Sequence, residues 1–127
     1  MPSLLSEQQI ATFRTDGVLC IRQAFDQNWL DLLAQGIDRN IREPGPVGRK
    51  YTPDGSPGGF FGDYCNWDRI GEYEQFMRHS PAPQLAAEAM TSPSARIFHE
   101  HVLVKEPGTR ERTPWHHDQP YYCVDGD

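Results

Sequence analysis

Residues 95–124 read ARIFHEHVLVKEPGTRERTPWHHDQPYYCV, and the parsing of this stretch decides the fold. Ala95 to Lys105 alternates in the manner of a strand, with Ile97, His99, His101, Leu103 and Lys105 on one side and Phe98, Glu100, Val102 and Val104 on the other. Both sides mix apolar and polar groups, which suits a barrel wall that holds a ligand better than a dry core. Pro107-Gly108 places a turn within Glu106 to Arg112, and Thr113 to Val124 is expected to return as a second strand. A hairpin centred near Thr109 sets His101 opposite His117.

The returning stretch carries His116-His117-Asp118. In an extended strand residues i and i+2 project to the same side, so the imidazole of His116 and the carboxylate of Asp118 can grip one cation while His117 points away. Two histidines and one carboxylate on one face of an octahedron, with open positions opposite, are the signature of non-heme Fe(II) oxygenases. H-x-D alone is a weak motif, and the bland alternative is a hydrogen-bonded surface pair near a turn. A zinc hydrolase using His99, His101 and His116 fits less well, because no residue is spaced to serve as its base.

Working toward the N-terminus, two helices at Ile70, Tyr73 and Met77 and at Leu85, Ala86, Ala89 and Met90 are punctuated by Pro81 and Pro93. The aromatic patch Phe60-Phe61 and Tyr64 to Trp67 precedes them; Asp63, Tyr64, Asn66 and Trp67 could contribute substrate contacts, with packing as the bland reading. Glu43 to Gly59 holds four prolines and five glycines, cannot sustain a helix or a central strand, and is a candidate lid, with plain disorder as the competing reading. Asp26 caps a helix whose apolar face is Leu30, Leu33, Ile37 and Ile41. Ser6 with Gln9 forms a capping box for a first helix running to Asp16, stopped by Gly17 and followed by a short strand at Val18 to Ile21.

The 127 residues fit one domain, and their net charge of -6 argues against a nucleic-acid surface. No stretch approaches the roughly 18 apolar residues of a membrane span, and the N-terminus lacks the basic and apolar regions of a secretory signal. A cytoplasmic location is expected. Cys20, Cys65 and Cys123 are odd in number and far apart, which supports neither a disulfide framework nor a cysteine-rich zinc site.

FHEHVLVKEPG followed after a short turn by TPWHHDQPYY resembles the phytanoyl-CoA dioxygenase family of Fe(II)- and 2-oxoglutarate-dependent oxygenases. The resemblance rests on a strand ending Lys105-Glu106-Pro107-Gly108, on Trp115 directly before His116, on the H-x-D itself and on Tyr121-Tyr122 beyond it. It implies His116 and Asp118 as iron ligands, and His101 and His117 as residues beside the 2-oxoglutarate cosubstrate. Related halogenases replace the carboxylate with a small residue to admit chloride, so Asp118 favours hydroxylation of a small organic substrate with dioxygen.

The implied fold is α+β: N-terminal helices followed by the first strands of a double-stranded β-helix, a cupin-like jelly roll. As one domain over 1–127, it would be helical over 1–94 with barrel strands in 95–127. The family's distal histidine and cosubstrate-pairing arginine lie well downstream of the H-x-D, and nine residues follow Asp118 here, so the chain is expected to be the N-terminal part of an oxygenase. An unclosed sheet would promote self-association through its open edges. The alternative expectation is a catalytically incompetent fragment that binds metal or a protein partner.

Overall fold

A computed structural model describes residues 2–122. Among them four helices, α1 (Glu7–Asp16), α2 (Gln27–Arg42), α3 (Gly71–His79) and α4 (Ala82–Ala89), accompany three strands, β1 (Arg49–Lys50), β2 (Phe60–Tyr64) and β3 (His101–Lys105). The strands form one antiparallel sheet in the order β1-β2-β3. This is an α+β arrangement, and no strand beyond these three is present among the described residues. No helix among them is long and apolar enough to cross a membrane.

The N-terminal caps form as the sequence dictates. Ser6 Oγ accepts from Gln9 N at 3.2 Å while Gln9 Oε1 accepts from Ser6 N at 2.8 Å, so two otherwise orphaned donors are satisfied reciprocally. Gly17 takes the left-handed conformation (φ 72) that ends α1 and donates to Phe13 O at 2.9 Å. Asp26 caps α2 through Trp29 N at 3.1 Å. Val18 to Ile21 is not a strand: among the described residues no strand pairs with it, and Val18 is left exposed.

The buried line of α2 differs from the expected apolar face. Leu30 and Ile41 are exposed, Leu33 and Ile37 half-buried, and the residues fully enclosed are Gly36 and Asn40. The cause is the neighbour. Helix α3 packs close enough that a Cβ on Gly36 would stand 2.7 Å from Tyr73 Cε1, and Tyr73 Oη donates to Asn40 Oδ1 at 3.2 Å. Phe76 of α3 meets Phe25 and Trp29 at ring separations of 5.1 and 6.0 Å, and Arg39 pairs with Glu72 at 2.8 Å. With Leu5 and Ile70, these residues make a small core on the helical side.

Three further expectations are corrected. The strand expected over 95–105 begins only at His101, and β1 and β2 fall within the stretch expected to be helical. The hairpin between 95–105 and 113–124 does not form among the described residues: β3 pairs instead with β2, Gly62 opposite Leu103 and Tyr64 opposite His101. Two physical reasons act together. The aromatic run at Phe60 suits a pleated, half-buried surface, and Pro114 and Pro120 remove donors from the returning stretch. Residues 123 and 124 of the expected strand lie outside the described residues.

Register fixes which side chains share a face. His101, Leu103 and Lys105 stand with Phe60, Gly62 and Tyr64, while Val102 and Val104 stand with Phe61 and Asp63 on the side turned to α2, whose Asn40 reaches Asp63. The first face is the open one: His101, Leu103 and Tyr64 are exposed there.

Candidate metal centre

The H-x-D segment reaches its geometry through a turn. Residues 110–117 carry no helix or strand, and at Asp118 the chain folds over, its carbonyl accepting from Tyr121 N at 2.8 Å and Tyr122 N at 3.2 Å. His116 Nε2 then lies 3.6 Å from Asp118 Oδ1. The other ring nitrogen, Nδ1, donates to Pro114 O at 2.8 Å, because a carbonyl oxygen can only accept. In the neutral ring this leaves Nε2 without a proton, 3.6 Å from the carboxylate. Outer hydrogen bonds of this kind fix the tautomer and ring orientation of metal-ligating histidines.

The pair fits a divalent cation chemically. Bonds of about 2.1 Å to nitrogen and oxygen allow two donors on one ion to stand up to about 4 Å apart, and 3.6 Å lies within that reach. Imidazole and carboxylate are donors that iron accepts. Both side chains are more than half exposed, at 58% and 70%, which leaves the remaining positions open. No group of three His, Cys, Asp or Glu side chains is arranged to hold a metal among the described residues, so the zinc set His99, His101 and His116 does not assemble there.

The other candidates fall at various places. His101 lies across from Tyr64, ring centroids 5.4 Å apart, and the expected opposition to His117 is absent because the hairpin is absent. His117 is exposed. Lys105 Nζ stands 4.5 Å over the Phe60 ring and donates to Thr113 Oγ1 at 2.9 Å. His99 Nε2 lies 3.2 Å from Tyr122 Oη. Burial first, then the negative charge of Asp118, pushes the Tyr122 phenol up.

Asp63 and Asn66 are fully buried, which fits the packing reading of these residues rather than the substrate contact weighed beside it. Asp63 accepts from Asn40 Nδ2 and Gly45 N at 2.7 Å each and from Tyr64 N at 2.9 Å. Burial pushes its carboxyl up, but these donors and Asn66 together outweigh it and hold the group below the usual carboxylate value. Glu100 accepts from Asn66 N at 2.6 Å and Trp67 N at 3.0 Å. Between these carboxylates the Tyr73 phenol is pushed up to about 12, by burial first and then by the charges of Glu100 and Asp63. Sequence reasoning missed this network; the one available signal is an acid, Glu100, set between two histidines where strand alternation turns it inward.

The candidate lid is clamped at both ends. Its entrance is bound at Gly45 N by Asp63, and its exit at Gly59 N by Glu106 at 2.6 Å.

The described residues thus form a helix-backed antiparallel sheet with an imidazole and a carboxylate 3.6 Å apart on the segment that follows β3. The phytanoyl-CoA dioxygenase (PhyH) family matches residues 13–126, nearly the whole chain, and the chain belongs to that family. Membership points to an oxidoreductase of the iron- and 2-oxoglutarate-dependent type. No curated protein and no solved structure matches it.

Proposed function

We propose that this chain forms the iron-binding wall of a 2-oxoglutarate-dependent dioxygenase that hydroxylates a small organic molecule. The observation that carries the reading is the 3.6 Å approach of His116 Nε2 to Asp118 Oδ1, with His116 Nδ1 occupied by Pro114 O. Family membership over residues 13–126 supports the choice of iron over other cations.

In this reading His116 and Asp118 hold Fe(II), and His101 and His117 border 2-oxoglutarate. When bound, the iron supplies chelation of the cosubstrate and activation of dioxygen. The chain's own contribution is positioning. The Pro114 carbonyl keeps the imidazole in one tautomer, and the exposed rings of Tyr64, Phe98 and Tyr121 offer an apolar flank for a substrate. The carboxylate at 118 occupies the position that a halide would need, so hydroxylation is the reaction. The same reading takes 1–127 as one domain, places the protein in the cytoplasm and lets open sheet edges mediate self-association.

Anaerobic titration of the chain with Fe(II) and 2-oxoglutarate tests this directly. A visible charge-transfer band that requires both additions is the expected result. Absence of the band at saturating concentrations of both rejects the reading for this chain.

A further inference from the structure

We propose that His99 is a positioning residue which, through Tyr122, holds the turn that presents Asp118, and that Lys105 holds the other end of the same segment. This rests on the reading of His116 and Asp118 as metal ligands. The segment carrying them, residues 114–121, has no sheet ladder to keep it in place. It is bracketed by two side-chain staples. At one end Lys105 Nζ donates to Thr113 Oγ1 at 2.9 Å; at the other, Tyr122 Oη meets His99 Nε2 at 3.2 Å. His99 and Lys105 are six positions apart on one stretch leading into and through β3, about 20 Å when extended. The H-x-D segment therefore arches between two fixed points on a single chain line.

The His99 staple is the better built of the two. The Tyr122 ring packs on His99 at 5.0 Å and stands perpendicular to Phe98 at 5.7 Å, while Tyr121 closes its other side at 5.2 Å. His99 in turn meets Tyr64 at 6.2 Å, and Tyr64 meets His101 at 5.4 Å. One run of rings thus links the residue proposed beside the cosubstrate to the turn of the carboxylate ligand. From Tyr122 the path to Asp118 is a single hydrogen bond, the Tyr122 amide donating to the Asp118 carbonyl at 3.2 Å. With Nε2 engaged by the phenol, His99 holds the site's shape instead of ligating its metal.

The test uses the full chain and three variants: Tyr122→Phe, which keeps the ring and loses the hydroxyl; His99→Leu, which loses the imidazole ring and its Nε2; and His99→Gln, whose amide reaches as far as Nε2. Amide exchange at Tyr121 and Tyr122 is followed by NMR without metal, and Co(II) alone is titrated by calorimetry. Tyr122→Phe and His99→Leu should speed exchange of the two amides and weaken Co(II) binding by roughly two- to tenfold, the worth of one net hydrogen bond. His99→Gln should restore both, and Phe61 in β2 should exchange unchanged throughout. Wild-type exchange rates in both disrupting variants overturn the proposal, as does a Co(II) affinity that they leave unchanged. Accelerated exchange with no Co(II) binding by the wild type sinks the ligand reading while leaving the staple standing.

Discussion

Replacing Asp63 with Asn changes one oxygen to an amide at a site with no access to water. In the native chain Oδ2 takes two donors, Asn40 Nδ2 and Gly45 N, and Oδ1 takes Tyr64 N. An Asn side chain offers a single acceptor oxygen, so its NH₂ must face at least one of these donors. If the oxygen keeps Asn40 and Gly45, both bonds fall from charge-assisted to neutral strength, about 1 kcal/mol each, and Tyr64 N is left unsatisfied at about 1–3 kcal/mol. Relief from burying a charge offsets part of this. The net destabilisation should be about 2–4 kcal/mol, lowering Tm by roughly 8–20 °C in a chain of this size.

The pH dependence gives an independent sign. The folded carboxyl is held below its ordinary value, so the unfolded chain binds the proton first. Its stabilisation is complete above the unfolded pKa of about 3.9 and is lost as pH falls through the folded value. Urea unfolding followed by circular dichroism at pH 7 and at stepped acid pH reads both quantities. Asp63→Asn should lower the midpoint at pH 7 and flatten the acid loss. A change under about 0.5 kcal/mol, the range of an ordinary surface substitution, together with an unaltered acid limb, would refute the assigned role.

Gly36→Ala should destabilise by about 1–3 kcal/mol despite the better helix propensity of alanine, because the new Cβ would stand 2.7 Å from the Tyr73 ring; thermal unfolding reads it. Gly58→Ala combines a φ of +73 with a Cβ 2.5 Å from Thr109 N, so it should lower Tm and release the 106–109 turn, seen as faster amide exchange at Thr109. Glu88 gathers Leu4 N at 2.9 Å, Leu5 N at 2.8 Å and Ser3 Oγ at 3.0 Å. Led by the hydrogen bond from Gln84, these contacts lower its pKa, so its hold on the N-terminal residues is present at neutral pH and lost on acidification. Glu88→Gln should therefore increase aminopeptidase trimming of residues 2–5 at pH 7.

How much of this was legible follows from what is local. Capping is local chemistry, and Ser6 with Gln9, Gly17 and Asp26 all act where their types predict. The face of α2 was not legible, because Asn40 and Gly36 are buried by partners, Asp63 and Tyr73, that lie 23 and 37 positions away. Strand pairing failed for the same reason: proximity in sequence favoured a hairpin, while the better partner for β3 was β2, some 40 residues earlier. The i, i+2 spacing led to an expectation of His116 and Asp118 side by side on a strand; the segment is not a strand, and their 3.6 Å approach comes with a turn at Asp118 and a carbonyl brace at His116. Asp63 and Asn66 resembled pocket residues because polar groups among aromatics look alike whether they face a ligand or a buried amide.

The central claim is that His116 and Asp118 together hold iron, and metal retention by the Asp118→Ala variant tests it most directly. Chain loaded anaerobically with Fe(II) and desalted should keep clearly more iron than the variant, which should fall to the level of His116→Ala. Equal iron in Asp118→Ala and wild type would contradict the account.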